Sequence, residues 1–413
     1  MERLVKHLRL YDIKGSLLEA FSQYPQNNLN AYDLIGKLIS FADKHGVNGN
    51  CWQYYIAYFI AENENAFSLA CERKDSVSGT LLNFAYEDCR KLMEIFNLSP
   101  SALPTAENDA GLIKNFKSTL AKSPLPYAGQ IEKFALDLSK SKTTQAFLDT
   151  VKEFYRIYGV GELGLNKAFR VVDENNRAKL LPITCMDAKR LNDLVGYDLQ
   201  KQRVLQNTKA FLDGKKANNV LLYGDMGTGK SSTIKALINE FYEQGLRVIE
   251  LYKHQFMHIS DLISKIASRN YKYILYLDDL SFDDFEVEYK YFKAIIDGGL
   301  EVKPDNVLIY ATSNRRHLIK EHYSDNSDID PMDELHKSDT KNEKLSLVAR
   351  FGLSIYYPSP DQQEFLNIVH QLAQRYGIEM DEVQLDKKAL TWAIRNGIKS
   401  GRMAEQFVYS LLH

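Results

Sequence analysis

The chain has 413 residues, 45% hydrophobic and 26% charged, with 52 Lys and Arg against 54 Asp and Glu for a net charge of -2. That length exceeds one ordinary core and implies two or three domains. The near-neutral balance speaks against a dedicated nucleic-acid binder, while leaving room for a local basic groove.

No stretch reaches the ~18 uncharged apolar residues of a membrane span. The opening segment, Met1 to Arg9, lacks the apolar run of a secretory signal. A cytoplasmic protein without membrane partners is expected. Cys51, Cys71, Cys89 and Cys185 form no C-x-x-C pair, so small buried side chains are expected rather than a zinc knuckle or a redox pair.

Residues 1–155 read as a helical N-terminal domain. Leu17, Leu18, Phe21 and Tyr24 share one helical face. Trp52 to Glu62 is apolar nearly all round, which predicts a buried helix. Its aromatics invite base stacking, but at helical spacing a core role is the stronger reading. Ser99 to Asp109 is rich in Pro, Ser and Ala and predicts a loop. Helical segments are expected around 110–122 and 128–156.

Residues 156–190 read as a β-hairpin linker. Gly159, Gly161 and Gly164 break the helix, and two apolar runs, 168–172 and 179–183, flank the polar turn 173–176. Over 191–358, short apolar strands at 220–223, 247–251, 273–277, 307–311 and 353–357 alternate with helical segments. That pattern predicts an α/β domain, a three-layer parallel sheet covered by helices on both faces. Within it, Glu321 to Glu343 is polar and charged, and predicts a long loop. Residues 359–413 return to helix, as a lid.

The segment Gly224-Asp225-Met226-Gly227-Thr228-Gly229-Lys230-Ser231 matches G-x-x-x-x-G-K-[ST]. Glycines let the chain curl so that successive N–H groups point at phosphate oxygens, and the helix that follows adds its positive end. Residues Gly224 to Ser232 are therefore the expected phosphate contacts. Lys230 would reach the β- and γ-phosphates, and the Ser231 hydroxyl would ligate Mg²⁺. Asp278 and Asp279 end an apolar strand, where parallel sheets place ligands. Asp278 is the candidate metal carboxylate and Asp279 the candidate base or orienter of water. No Asn-Lys-x-Asp guanine reader follows the fourth strand, so ATP is favoured over GTP.

With these motifs in place, the chain resembles the AAA+ P-loop ATPases. The resemblance implies Asn314 as a polar sensor at the end of the fourth strand. It implies Arg350 as an arginine reaching a neighbour's nucleotide, and Arg402 as a second sensor in the lid. It also implies adenine contacts at the backbone of Val195 and Gly196. The strings Leu191 to Lys201, Asn218 to Asp225, Asp278 to Phe282, Ser313 to Leu318, Arg350 to Gly352 and Ser400 to Val408 resemble one uncharacterised bacterial AAA+ family over roughly 155–413. Two positions depart from the pattern. Asp279 stands where most AAA+ proteins have Glu, and Ala349 where the family-like strings have Asp.

The resemblance implies a Mg²⁺-ATP-dependent ATPase that remodels or regulates an unidentified protein partner. It would work as a homo-oligomer, with a hexameric ring in view if Arg350 acts in trans. A non-hydrolysing ATP switch is the alternative that Asp279 motivates. A nucleic-acid loader is the other, motivated by Arg315, Arg316, His317 and Lys320.

Overall fold

The structure is a computed structural model that describes residues 2–24, 30–98, 109–120, 125–174, 177–282, 287–297, 304–314 and 348–412. It divides into two compact units. One is Met1–Lys167 with Pro182–Cys185, the other Ala168–Leu181 with Met186–His413. Among the described residues no helix is long and apolar enough to cross a membrane.

The first unit is helical: α1 (Glu2–Lys6), α2 (Leu17–Gln23), α3 (Ala31–Lys44), α4 (Cys51–Glu62), α5 (Ala66–Glu72), α6 (Gly79–Phe96), α7 (Asp109–Lys114), α8 (Ala128–Ser139), α9 (Thr144–Tyr158) and α10 (Gly161–Leu165). A two-residue antiparallel pair, β1 (Asn48–Gly49) with β2 (Phe116–Lys117), is the sheet seen there. The apolar α4 is its centre. Asn50 caps it by accepting from the N–H groups of Trp52 and Gln53. Trp52, Tyr54, Tyr55 and Phe59 are buried in the common core, so these rings pack the interior rather than forming an open stacking surface. Two buried polar tips find main-chain partners, as favoured for aromatic residues with one polar atom, whereas the Tyr54 hydroxyl is buried without a hydrogen bond among the described residues. The Trp52 indole donates to Ile95 O at 2.8 Å, and the Tyr155 hydroxyl to Ile60 O at 2.8 Å.

Two helical expectations change here. The span 128–156 is broken into α8 and α9, because Thr143 takes a cap conformation and accepts from Ala146 N–H. The helix expected over 110–122 stops at Lys114, and its continuation pairs with Asn48–Gly49 instead. Most of the loop expected at 99–109 lies outside the described residues.

The second unit is built on a seven-stranded sheet among the described residues. Its strands are β3 (Ala168–Glu174), β4 (Arg177–Pro182), β5 (Val220–Gly224), β6 (Leu246–Glu250), β7 (Lys272–Leu277), β8 (Val307–Ser313) and β9 (Leu353–Tyr357). The order is β4-β3-β6-β7-β8-β5-β9. Strands β3, β6, β7, β8, β5 and β9 are parallel in every neighbouring pair. Strand β8 is buried along its whole length and β7 almost so, as a parallel sheet covered on both faces requires. Val220 and Leu222 face a core shared with Val204 and Phe211 of α11 (Asp198–Leu212) and Ile234 and Leu237 of α12 (Lys230–Phe241). Further helices are α13 (Ile259–Ala267) and α14 (Val287–Asp297).

The C-terminal lid comprises α15 (Gln362–Arg375), α16 (Glu382–Asn396) and α17 (Gly401–Ser410). Phe365, Val369, Leu385, Ala389, Phe407 and Val408 make its separate small core. Each helix opens on a capping side chain, Asp361, Asp381 and Ser400 respectively, that accepts a first-turn N–H.

The register fixes where the site lies. Leu277 of β7 faces Ala311 of β8, and Tyr223 of β5 faces Ser313. Gly224, Asp278, Thr312 and Asn314 therefore come to one edge of the sheet, at the strands' carboxyl ends.

Candidate nucleotide site

Between β5 and α12 the backbone takes conformations that favour glycine. Gly224 has φ +137, and a Cβ there would sit 2.1 Å from Tyr357 O. Gly227 has φ +75 and Gly229 φ +90. The loop is pinned from outside by Asp225, whose N–H donates to Tyr357 O at 3.1 Å and whose Oδ2 accepts from Ser359 N–H at 2.8 Å.

Lys230 opens α12 and is only 6% exposed. Its ammonium donates to Gly224 O at 2.9 Å, Asp225 O at 2.6 Å and Asn314 Oδ1 at 3.1 Å. Burial pulls its pKa below the usual lysine value, against the pull of Asp225, Asp279 and Asp278. A partly desolvated ammonium ringed by carbonyl oxygens is well suited to donate to phosphate oxygens.

Ser231 Oγ donates to Asp278 Oδ1 at 2.6 Å, and Thr312 Oγ1 donates to the same oxygen at 2.7 Å. Burial pushes the Asp278 carboxyl up, but these hydrogen bonds outweigh it and hold the group below its ordinary value. A hydroxyl and a carboxylate oxygen side by side are the hard donors that suit magnesium, which usually takes one or two protein ligands and completes its shell with water and phosphate. The residues fit that ion. Among the described residues no cluster of three or more His, Cys, Asp or Glu offers an all-protein metal cage.

Asp279 is in the left-handed region, φ +52, which Asp tolerates better than most residues. That twist sends its N–H to Thr312 Oγ1 at 2.9 Å and lets its Oδ1 accept from Asn314 Nδ2 at 2.7 Å. Thr312 thus ties both aspartates to β8.

A cleft of about 390 Å³ joins these groups, within the range of small-molecule sites. Its wall includes Val195, Gly196, Met226 to Ser232, Asp278, Asp279, Asn314 and Arg402. The lid contributes Ile368, Leu372, Tyr376 and Glu405. Gly224 and Asp225 stand behind the wall and act through the carbonyls that hold Lys230. The Arg402 N–H donates to Gly227 O at 3.2 Å, seating the start of α17 on the phosphate loop. Arg350 is exposed at the turn before β9 and does not line this cleft.

Two contributors were not legible in the sequence. One is Thr312, whose role depends on strand register. The other is Tyr197, which has φ +57, stacks on Tyr357 at 5.1 Å and donates to Pro358 O at 2.7 Å. The basic cluster Arg315, Arg316, His317 and Lys320, and the segment 321–343, lie outside the described residues.

Residues 165–413 match DUF815, a family described as a protein of unknown function. No curated protein matches the chain in sequence. Among solved structures, the RuvB Holliday junction branch migration motor of Thermotoga maritima is 16% identical. That match covers 54% of this chain and 71% of RuvB at a TM-score of 0.32. AMPPCP-bound DnaA from Aquifex aeolicus is 19% identical, with 54% of this chain and 64% of DnaA covered at a TM-score of 0.37. The fold is read from the phosphate loop, the strand order and the helical lid. The chain belongs to the DUF815 family, and its second unit has the AAA+ P-loop fold.

Proposed function

We propose that the protein binds Mg²⁺-ATP in this cleft and hydrolyses it to remodel or regulate a partner macromolecule, as a homo-oligomer. The observation that carries the reading is the meeting of Lys230, Ser231, Asp278, Asp279 and Asn314 at one sheet edge. Val195 and Gly196, which line the cleft beside Ile368 of the lid, would contact the base. The loop N–H groups and Lys230 would hold the triphosphate, and Ser231 with Asp278 the metal. Bound magnesium would neutralise charge on the β- and γ-phosphates. Asn314 and Asp279 would orient water for in-line attack on the γ-phosphate, and Arg402 would hold the phosphates from the lid side. Arg350, exposed and not lining its own cleft, would serve a neighbouring copy, as in a ring.

The test is phosphate release against protein concentration. The reading expects turnover that rises more steeply than linearly and is lost in Lys230→Ala and Arg350→Ala. No Lys230-dependent turnover at any concentration would sink hydrolysis. A second reading, an ATP-dependent switch without turnover, is favoured by one observation: Asp279 Oδ1 is already engaged by Asn314 Nδ2. Tight binding with turnover near the uncatalysed rate, unchanged in Asp279→Asn, would select it. For the nucleic-acid reading, DNA binding that weakens between about 50 and 200 mM salt would be expected.

A further inference from the structure

One wall of the cleft is not part of the sheet or the lid. It is the segment running from Asp187 to Tyr197, ahead of α11. On its inner side it is fastened to the phosphate-loop helix, where Asn239 Nδ2 donates to Asp187 O at 2.8 Å and Lys189 O at 3.0 Å. Near its end, Lys201 Nζ donates to Leu194 O at 2.6 Å, and the Tyr197 hydroxyl to Pro358 O at 2.7 Å. On its outer side it is fastened to the lid. Lys189 Nζ lies 2.8 Å from Glu405 Oε1, and Arg375 Nη1 donates to Asp193 O at 2.8 Å. Lys189, Asp193, Arg375 and Glu405 all line the cleft.

The segment and the lid meet along this wall, where Val195 packs against the lid core and Gly196 lies beside Ile368, so opening the cleft on that side requires the two to part. The bonds spanning that seam therefore resist opening. Arg375 holds a main-chain carbonyl. Lys189 and Glu405 form a two-sided ion pair, 40% and 27% exposed. Glu405 is itself steadied by the Tyr409 hydroxyl at 3.0 Å, which meets the Tyr376 hydroxyl at 3.0 Å. The hydrogen bond from Lys189 to Glu405 also raises the Lys189 pKa above the usual lysine value.

We propose that the 187–197 segment is a strap over the nucleotide and that the Lys189–Glu405 pair is its latch, setting how long nucleotide stays bound. These are positioning residues, not catalytic ones, and the proposal rests on the cleft being the ATP site. The experiment uses the full chain and the fluorescent analogue mant-ATP, chased with excess ATP in a stopped-flow instrument. Lys189→Glu and Glu405→Lys each place like charges at the seam and are expected to speed release by about fivefold, on the scale of a partly exposed pair turned repulsive. Association should change little. The double swap Lys189→Glu with Glu405→Lys rebuilds the pair and should return release to within about twofold of the parent, which a merely structural role for either residue would not produce. Release unchanged in both single variants, or no rescue in the swap, overturns the latch alone. Absence of mant-ATP binding that Lys230→Ala removes overturns both the latch and the ATP reading.

Discussion

The carboxamide of Asn314 joins Lys230 to Asp279: its Oδ1 accepts from the ammonium at 3.1 Å and its Nδ2 donates to the carboxylate at 2.7 Å. One side chain thus links the group that would grip phosphate to the group that would orient water. Removing it should disturb chemistry more than binding. Asn314→Ala is expected to lower kcat by about 10²-fold, the scale of one lost polarising donor, with nucleotide affinity within a few-fold of the parent. Comparing steady-state turnover with equilibrium titration checks the split. A loss of affinity with kcat unchanged would show that Asn314 serves binding alone.

Lys230→Ala should remove the phosphate contact itself. A charge-assisted hydrogen bond contributes about 1.5–3 kcal/mol, so affinity for ATP should fall by roughly 10- to 100-fold. Calorimetric titration with Mg²⁺-ATP measures it. The fold should survive, because this ammonium is held mainly by main-chain oxygens of its own loop.

Thr312→Val deletes the hydroxyl that donates to Asp278 and receives the Asp279 N–H. The variant should be less stable at neutral pH by about 1–3 kcal/mol. The sign of its pH dependence follows from Asp278. That carboxyl titrates below its ordinary value of 3.8 in the fold, so its ionised form stabilises the native state above that pH. The contribution drains away as pH falls through the lowered value. The gap between parent and variant should therefore be widest near neutral pH and shrink below pH 3.8. Urea unfolding at several pH values tests this, and a gap that grows on acidification would contradict it.

The phosphate-loop glycines should not be equivalent. An alanine Cβ at Gly224 would meet Tyr357 O at 2.1 Å, backbone that cannot swing aside, whereas nothing lies within 4 Å at Gly229. Gly229→Ala should cost only the strain of a left-handed residue, about 1–2 kcal/mol. Gly224→Ala should cost more, about 3 kcal/mol or above, and prise β5 from β9. Thermal unfolding of the two variants without nucleotide ranks them. Equal losses would disprove the close-packing argument.

How far the site could be read ahead depended on where its parts lie along the chain. Gly224 to Ser231 is contiguous and follows an apolar strand, and Asp278 ends another, so local pattern sufficed. Asn314 was reachable because it too closes a strand. Thr312 looked like any strand threonine until register brought it against Asp278. Lys189 and Glu405 are 216 positions apart, and no local spacing relates them. The break between α8 and α9 was signalled by Thr143, a capping residue, but the apolar repeat on either side masked it. In the helical unit the rings of α4 announced burial, while the pairing that stops α7 at Lys114 depends on residues near Asn48.

The strand arrangement bears on how this protein can be dissected. Residues 168–181 belong to the unit that carries the phosphate loop, but the next four, Pro182–Cys185, group with the helices. Severing one peptide bond does not therefore release two intact halves. A shortened product beginning at Met186 would discard β3 and β4 and strip the neighbour from β6, leaving Leu246 to Glu250 as a bare backbone rim. Unpaired rims of that kind recruit other chains. Such a product should clump even though every phosphate-loop residue is retained, whereas one beginning at Ala168 keeps β3 and β4 beside β6.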